Sequence, residues 1–275
     1  MTATRGSEPL RPLAALRRAV LPTVCLGCDR AVEEERPLLG LCVPCRGRLA
    51  RCRGRCTGCG GSSPSAAVSP TGFLCGDCRR RRPAYDALFP LYLYRQPLRA
   101  VVRHLKFGGL WYLGRHVAEL MKNRRPDLFE SCDLIVPVPL HWRRRLLRGY
   151  NQAEEIARPL AHLVGRPHRR ALVRVRATAP QASLGRADRV GNVEAAFRLR
   201  RSTRIGGLSV ALIDDVATTG RTLDDAAREL KRGGAVRVVA AVLARSPLDP
   251  SIPSASGRDL ERRYPILRSP GTGCD

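Results

Sequence analysis

From residue 85 onward, apolar and polar positions switch repeatedly between strand-like and helix-like periods. "YDALFPLYLY" alternates as a strand does. "QPLRAVVRHLKF" and "LGRHVAELMKN" carry apolar residues at helical spacing, with Gly108-Gly109 between them. "DLIVPVPL" is a continuous apolar run bounded by prolines and predicts a buried strand. "YNQAEEIARPLAHLVG" predicts a helix ending at Gly165, and "ALVRVR" a short strand. "SVALIDD", "TLDDAARELKRGG" and "VRVVAAVLA" predict a strand, a helix and a strand. Apolar strands alternating with helices indicate an α/β fold: an open, mostly parallel sheet with helices on both faces. This pattern defines a segment over 83–247. Upstream, "LRPLAALRRAVLP" has helical spacing broken by two arginines, so residues 1–21 are expected to form a short amphipathic helix rather than a signal peptide. Residues 248–275 are rich in proline, serine and charge and are expected to be a disordered tail. No apolar stretch approaches the roughly 18–20 residues of a membrane span, so a cytoplasmic protein is expected.

Residues 22–82 lack either period. Phe73 is their only aromatic, and glycine, serine and arginine abound. Nine of the chain's eleven cysteines lie here, eight of them in four C-x2-C turns: Cys25/Cys28, Cys42/Cys45, Cys56/Cys59 and Cys75/Cys78. Each turn aims two thiolates at one tetrahedral ion, and two turns complete a structural zinc site with no open position. Two consecutive zinc ribbons are expected, with neighbouring turns paired because they close the shortest loops. Such a segment buries too little surface to fold alone, whereas a structural zinc supplies on the order of 10 kcal/mol. Disulfides would need an oxidising compartment, and a redox motif would need one C-x2-C on a βα unit. Cys52, Cys132 and Cys274 fall outside the pattern and are read as non-ligands.

The net charge of +25 is nearly all arginine, with lysine only at Lys106, Lys122 and Lys231. That balance favours polyanionic partners: nucleic acid, phosphorylated small molecules or an acidic membrane surface. GC-rich codons give the same composition, so charge alone does not establish nucleic-acid binding.

The most informative stretch is "LSVALIDDVATTGRTL". An apolar strand ends in Asp214 and Asp215, and Ala217, Thr218, Thr219, Gly220, Arg221 and Thr222 then lead into a helix. Open α/β sheets bind ligands at the carboxyl ends of their strands. N–H groups and the dipole at a helix start favour an anion, and glycine lets the backbone close round a phosphate. The carboxylates would repel phosphate but suit vicinal hydroxyls and Mg²⁺. A ribose 5-phosphate satisfies both halves. The alternative, a polar strand end followed by an N-cap turn, suits a lone "TTG" better than this combination.

The stretch resembles the 5-phosphoribosyl-1-pyrophosphate (PRPP) motif of type I phosphoribosyltransferases. The resemblance implies catalytic roles for Asp214 and Asp215 and a 5-phosphate site over Ala217–Thr222. It also implies a pyrophosphate site, for which Val138, Pro139, Leu140, His141, Arg144, Arg145 and Arg148 qualify. A mobile loop would cover the ligand and could contribute Arg176, Gln181 and Arg189; Lys106 is a candidate for a further phosphate contact. With "CLGC" to "CGDC", "LRAVVRHLKF", "VPVPLHWRRRLLRGYNQAEEIA" and "TAPQASLGRADRVGNVEAAF", the chain is similar to the ComF family of competence-associated proteins. That similarity implies a double zinc ribbon preceding a type I phosphoribosyltransferase domain, with Mg²⁺ accompanying PRPP. It also implies single-stranded DNA and the DNA-uptake machinery as partners. Two functions follow: phosphoribosyl transfer to an acceptor the residues do not name, or PRPP binding without turnover by a DNA-handling factor. Thr218 stands where purine-salvage relatives carry an aspartate that assists the base, which argues against hypoxanthine or guanine as acceptor.

Overall fold

The computed structural model describes residues 24–32, 34, 37–52, 56–61, 73–175 and 196–247. The segments 1–21 and 248–275, expected as a helix and a tail, lie outside the described residues. The helices are α1 (Val43–Gly47), α2 (Gly76–Arg80), α3 (Leu98–Phe107), α4 (Leu113–Arg124), α5 (Pro126–Glu130), α6 (Trp142–Arg148), α7 (Gln152–Val164) and α8 (Arg221–Arg232). The strands are β1 (Ala87–Leu93), β2 (Leu134–Pro137), β3 (Leu172–Arg174), β4 (Phe197–Leu199), β5 (Ser209–Ala217) and β6 (Arg237–Arg245).

Four strands form a parallel sheet in the order β1-β6-β5-β2, with Leu212 opposite Ala240 and Val136 opposite Leu212. The apolar runs of β5 and β6 are explained by burial on both faces. Ile135, Ala211, Ile213, Val239 and Ala241 pack with Val101, Leu105, Val117, Met121 and Ile156 from α3, α4 and α7. Their neighbours Leu134, Val136, Val210, Leu212, Val238 and Ala240 point the other way, onto Leu223, Ala226, Ala227 and Leu230 of α8. Helix α3 buries Leu98, Val101, Val102 and Leu105, one stripe at helical spacing. Gly114 lets α4 lie directly on the α7 backbone, where a Cβ would run into the Glu155 carbonyl.

"ALVRVR" does not join the main sheet. Its core becomes β3, which pairs antiparallel with β4. A three-residue strand that alternates with arginine cannot be buried on both faces of a parallel sheet. Helix α6 has no buried residue, so no apolar stripe announced it. Its start is marked by His141, whose Nδ1 accepts from the Arg143 amide, and its end by Gly149 at φ 77°.

The two cysteine turns of each half fold alike. Cys42 and Cys75 stand at the starts of α1 and α2. Their amides donate to the Cys25 and Cys56 sulfurs, each at 3.3 Å. The first unit is continuous with the main core: Cys25, Leu39, Leu41 and Cys45 pack in the cluster that contains Leu98 and Val101. The chain after it covers the free edge of β1, with Leu93 N–H donating to Ala50 at 2.8 Å and Arg51 bridging Tyr92. Covering that edge blocks strand addition by another chain.

Candidate functional site

Strand β5 carries the acidic pair to the carboxyl end of the sheet, between β6 and the extension of β2, where the Val138 amide donates to the Ile213 carbonyl at 2.9 Å. The Asp215 amide donates to Asp214 Oδ1 and the Val216 amide to Asp215 Oδ1, each at 2.8 Å. Lys106, at the end of α3, lies 2.9 Å from Asp215 Oδ2. Lys106 thus pairs with the second carboxylate of the acidic pair. Burial first, and the neighbouring Asp215 second, push Asp214 up to about 8; Lys106 pulls it the other way.

The threonine loop follows immediately. Gly220 takes φ 81°, a left-handed conformation that L side chains rarely adopt, and starts α8. Thr218 and Thr219 are exposed. The amides of Thr218, Thr219 and Gly220 have no acceptor among the described residues, and the Arg221 amide is only 3.4 Å from Thr219 Oγ1. Open donors at the start of a twelve-residue helix form a ready anion cradle, within a few residues of two carboxylates.

On the opposite wall, Val138, Pro139, Leu140 and His141 connect β2 to α6. Asn151 Nδ2 holds the Val138 carbonyl at 3.0 Å, and His141 is buried. Arg148 donates to Gln152 Oε1 at 3.0 Å. Burial lowers its pKa, Asp215 opposes that, and Arg144 adds to it, so both arginines and the acidic pair share one electrostatic field. Arg145 lies on the same helix. Arg176, Gln181 and Arg189 lie outside the described residues. Arg174, at the end of β3, carries a signal that the sequence did not give. Burial and Arg144 lower its pKa, and Asp214 and Asp225 oppose that. In an arginine-rich chain, one strand-end arginine has no distinguishing neighbour in sequence.

The eight paired cysteines form two groups, Cys25/Cys28/Cys42/Cys45 and Cys56/Cys59/Cys75/Cys78, each with all sulfurs within 4.8 Å. A zinc–sulfur tetrahedron with arms of about 2.3 Å has edges of about 3.8 Å. The Cys28–Cys42 and Cys59–Cys75 sulfurs are each 3.7 Å apart, so both groups fit structural zinc. Against the effect of burial, amides of Cys42, Gly27 and Cys28 hold the Cys25 thiol down at about 6. Cys132 is buried and donates to the Leu128 carbonyl at 3.2 Å, apart from either group.

Trp111 precedes α4 and is exposed, edge-on to Tyr112 with ring centres 6.4 Å apart. Among the described residues, no helix is long and apolar enough to cross a membrane.

Comparison with known proteins matches this architecture. A family model described as phosphoribosyl transferase domain matches residues 113–256, more than half of the chain. The DNA utilization protein YhgH of Salmonella typhimurium is 36% identical over 178 residues, covering 62% of this chain and 78% of that protein. Competence protein F of Haemophilus influenzae is 32% identical over 179 residues with the same coverage. Competence protein ComFC of Bacillus subtilis is 28% identical over 247 residues, covering 81% of this chain and 95% of that protein. With an open parallel sheet behind two four-cysteine groups, the chain belongs to the ComF/YhgH family and carries its phosphoribosyltransferase domain.

Proposed function

We propose that the site binds PRPP with Mg²⁺ and transfers its phosphoribosyl group with release of pyrophosphate. The carrying observation is the adjacency of the acidic pair to the open amides of Thr218, Thr219 and Gly220. Asp214 and Asp215 accept from the ribose hydroxyls, and the loop amides with Thr218, Thr219 and Thr222 hold the 5-phosphate. Arg144, Arg145, Arg148 and Arg174 face the pyrophosphate and stabilise its growing charge. The bond from C1 to the pyrophosphate oxygen breaks with its electron pair leaving on pyrophosphate. An acceptor lone pair then bonds C1, and the acceptor's proton passes to solvent. Two crowded carboxylates suit Mg²⁺, which when bound would neutralise charge on the pyrophosphate leaving group. Ribose 5-phosphate and 2-deoxyribose 5-phosphate separate the two halves of the site in a calorimetric titration. The deoxy sugar forfeits a hydrogen bond to a charged group, about 1.5–3 kcal/mol, or roughly 10- to 100-fold in affinity. Equal affinities would rule out the carboxylate half. Pyrophosphate release on adding candidate acceptors tests turnover.

A second role, binding of single-stranded DNA, is favoured by the surface round α6. Trp142, Leu146 and Leu147 are 57%, 76% and 87% exposed, and Phe107, Trp111 and Tyr112 are also exposed. Arg143 lies 5.2 Å from the Trp142 ring centre and Arg148 4.6 Å from that of Phe107. Arginines interleaved with rings supply both backbone charge and base stacking. The matched relatives are named for DNA utilization and competence. Trp142→Ala should cost about 1–3 kcal/mol of single-strand affinity with little change in salt slope. Replacing Arg143, Arg144 and Arg145 by serine should lower that slope by about 2. A slope unchanged in the triple variant would place DNA elsewhere.

A further inference from the structure

Arg245, the last residue of β6, is 1% exposed. Its Nε donates to the Cys59 carbonyl and its Nη1 to the Ala217 carbonyl, both at 3.1 Å. One guanidinium therefore ties the second cysteine group to the residue from which the threonine loop departs. The Ser246 amide also donates to the Ala217 carbonyl, at 2.9 Å.

The chain leaving Cys78 adds two further ties to the same loop. The Ala84 amide donates to Asp224 Oδ1 of α8 at 2.6 Å. The buried Tyr85 hydroxyl lies against Gly220, 3.1 Å from where a Cβ would stand. On the other flank, Gly60 lets the second group lie directly on β1, where a Cβ would come within 2.9 Å of the Leu88 carbonyl.

Charge points the same way. Among the described residues no carboxylate pairs with Arg245, and a buried cation is costly without compensation. A zinc held by four thiolates carries net negative charge beside the Cys59 carbonyl, which supplies that compensation.

We infer that Arg245 is a positioning residue through which zinc in the second cysteine group sets the shape of the 5-phosphate loop. The inference rests on the ribose 5-phosphate reading for its effect on binding, but not for its effect on the loop itself. Arg245→Met should keep two zinc equivalents per chain while weakening ribose 5-phosphate binding about 10- to 100-fold, the range for losing a partner that orients a binding group. Arg245→Lys keeps the charge without the fork and should fall between.

Hydrogen exchange of the intact chain supplies the second readout. The Asp224 and Ser246 amides, which donate to the Gly220 and Ala217 carbonyls of the loop at 2.9 Å each, should exchange faster in Arg245→Met, and also in Cys75→Ser, which disables only the second group; amides of α4 serve as the unchanged reference. Faster loop exchange without any ribose 5-phosphate binding to wild type would sustain the inference and sink the proposed ligand. Unchanged loop exchange in Arg245→Met, whatever Cys75→Ser does, would overturn the inference. Should Arg245→Met lose zinc, Arg245→Lys takes its place and is judged by the same exchange.

Discussion

Asp214 sets the most direct chemical expectation. Its raised pKa means that the folded protein holds a proton between the unfolded carboxylate's value, about 3.9, and about 8. Its contribution to stability is therefore greatest below that window and declines as pH rises through it. Binding has the opposite sign: a carboxylate must be ionised to accept ribose hydroxyls and attract Mg²⁺. Affinity for Mg²⁺–ribose 5-phosphate should rise from about pH 7 through about 8 and level off by about 9, a range in which the phosphate is already mostly dianionic. Lys106→Met removes a cation that opposes the shift, so the midpoint should move to higher pH. Calorimetry across that range reads both effects. Most of these residues were visible in sequence because an acidic pair between an apolar strand and a threonine-glycine turn is unusual. Arg174 and Arg245 were not, since one more arginine at a strand end carries no signal in a chain of +25.

The elements that build the site differ in how plainly the sequence announced them. Strands β5 and β6 are buried on both faces, so their composition alone identifies them. Helix α8 shows a clean apolar stripe at Leu223, Ala226, Ala227 and Leu230. Helix α6 escapes because it buries no side chain, and β4 because it is only three residues long; β3 was expected as a strand, but its pairing with one that begins more than twenty residues later was not. Two glycines carry element-level predictions. Gly220→Ala places a Cβ at φ 81° beside the Tyr85 hydroxyl and should cost about 1–2 kcal/mol in urea unfolding, with weaker phosphate binding. Gly114→Ala forces α4 off the α7 backbone and should cost about 1–3 kcal/mol while leaving the ligand site alone.

At the scale of the whole molecule, the cysteine groups are parts of the fold rather than appendages. The first shares the main core with α3, and the second is bonded by Arg245, which also holds the Ala217 carbonyl at the start of the threonine loop. Cysteine spacing revealed two four-sulfur groups, but no local pattern could show what they dock against, because those contacts join residues far apart in sequence. Removing zinc should therefore lower the thermal stability of the entire chain, each site supplying on the order of 10 kcal/mol, and not merely unfold a detached segment. The central claim is that the acidic pair and the threonine loop together hold a ribose 5-phosphate. Its most direct test is calorimetric titration of Mg²⁺–PRPP into the zinc-loaded wild type and the Asp214→Asn/Asp215→Asn double variant. Saturable binding by wild type, weakened about 100-fold or more by loss of two charge-assisted hydrogen bonds, is the predicted result. Equal affinity in the two proteins would contradict it.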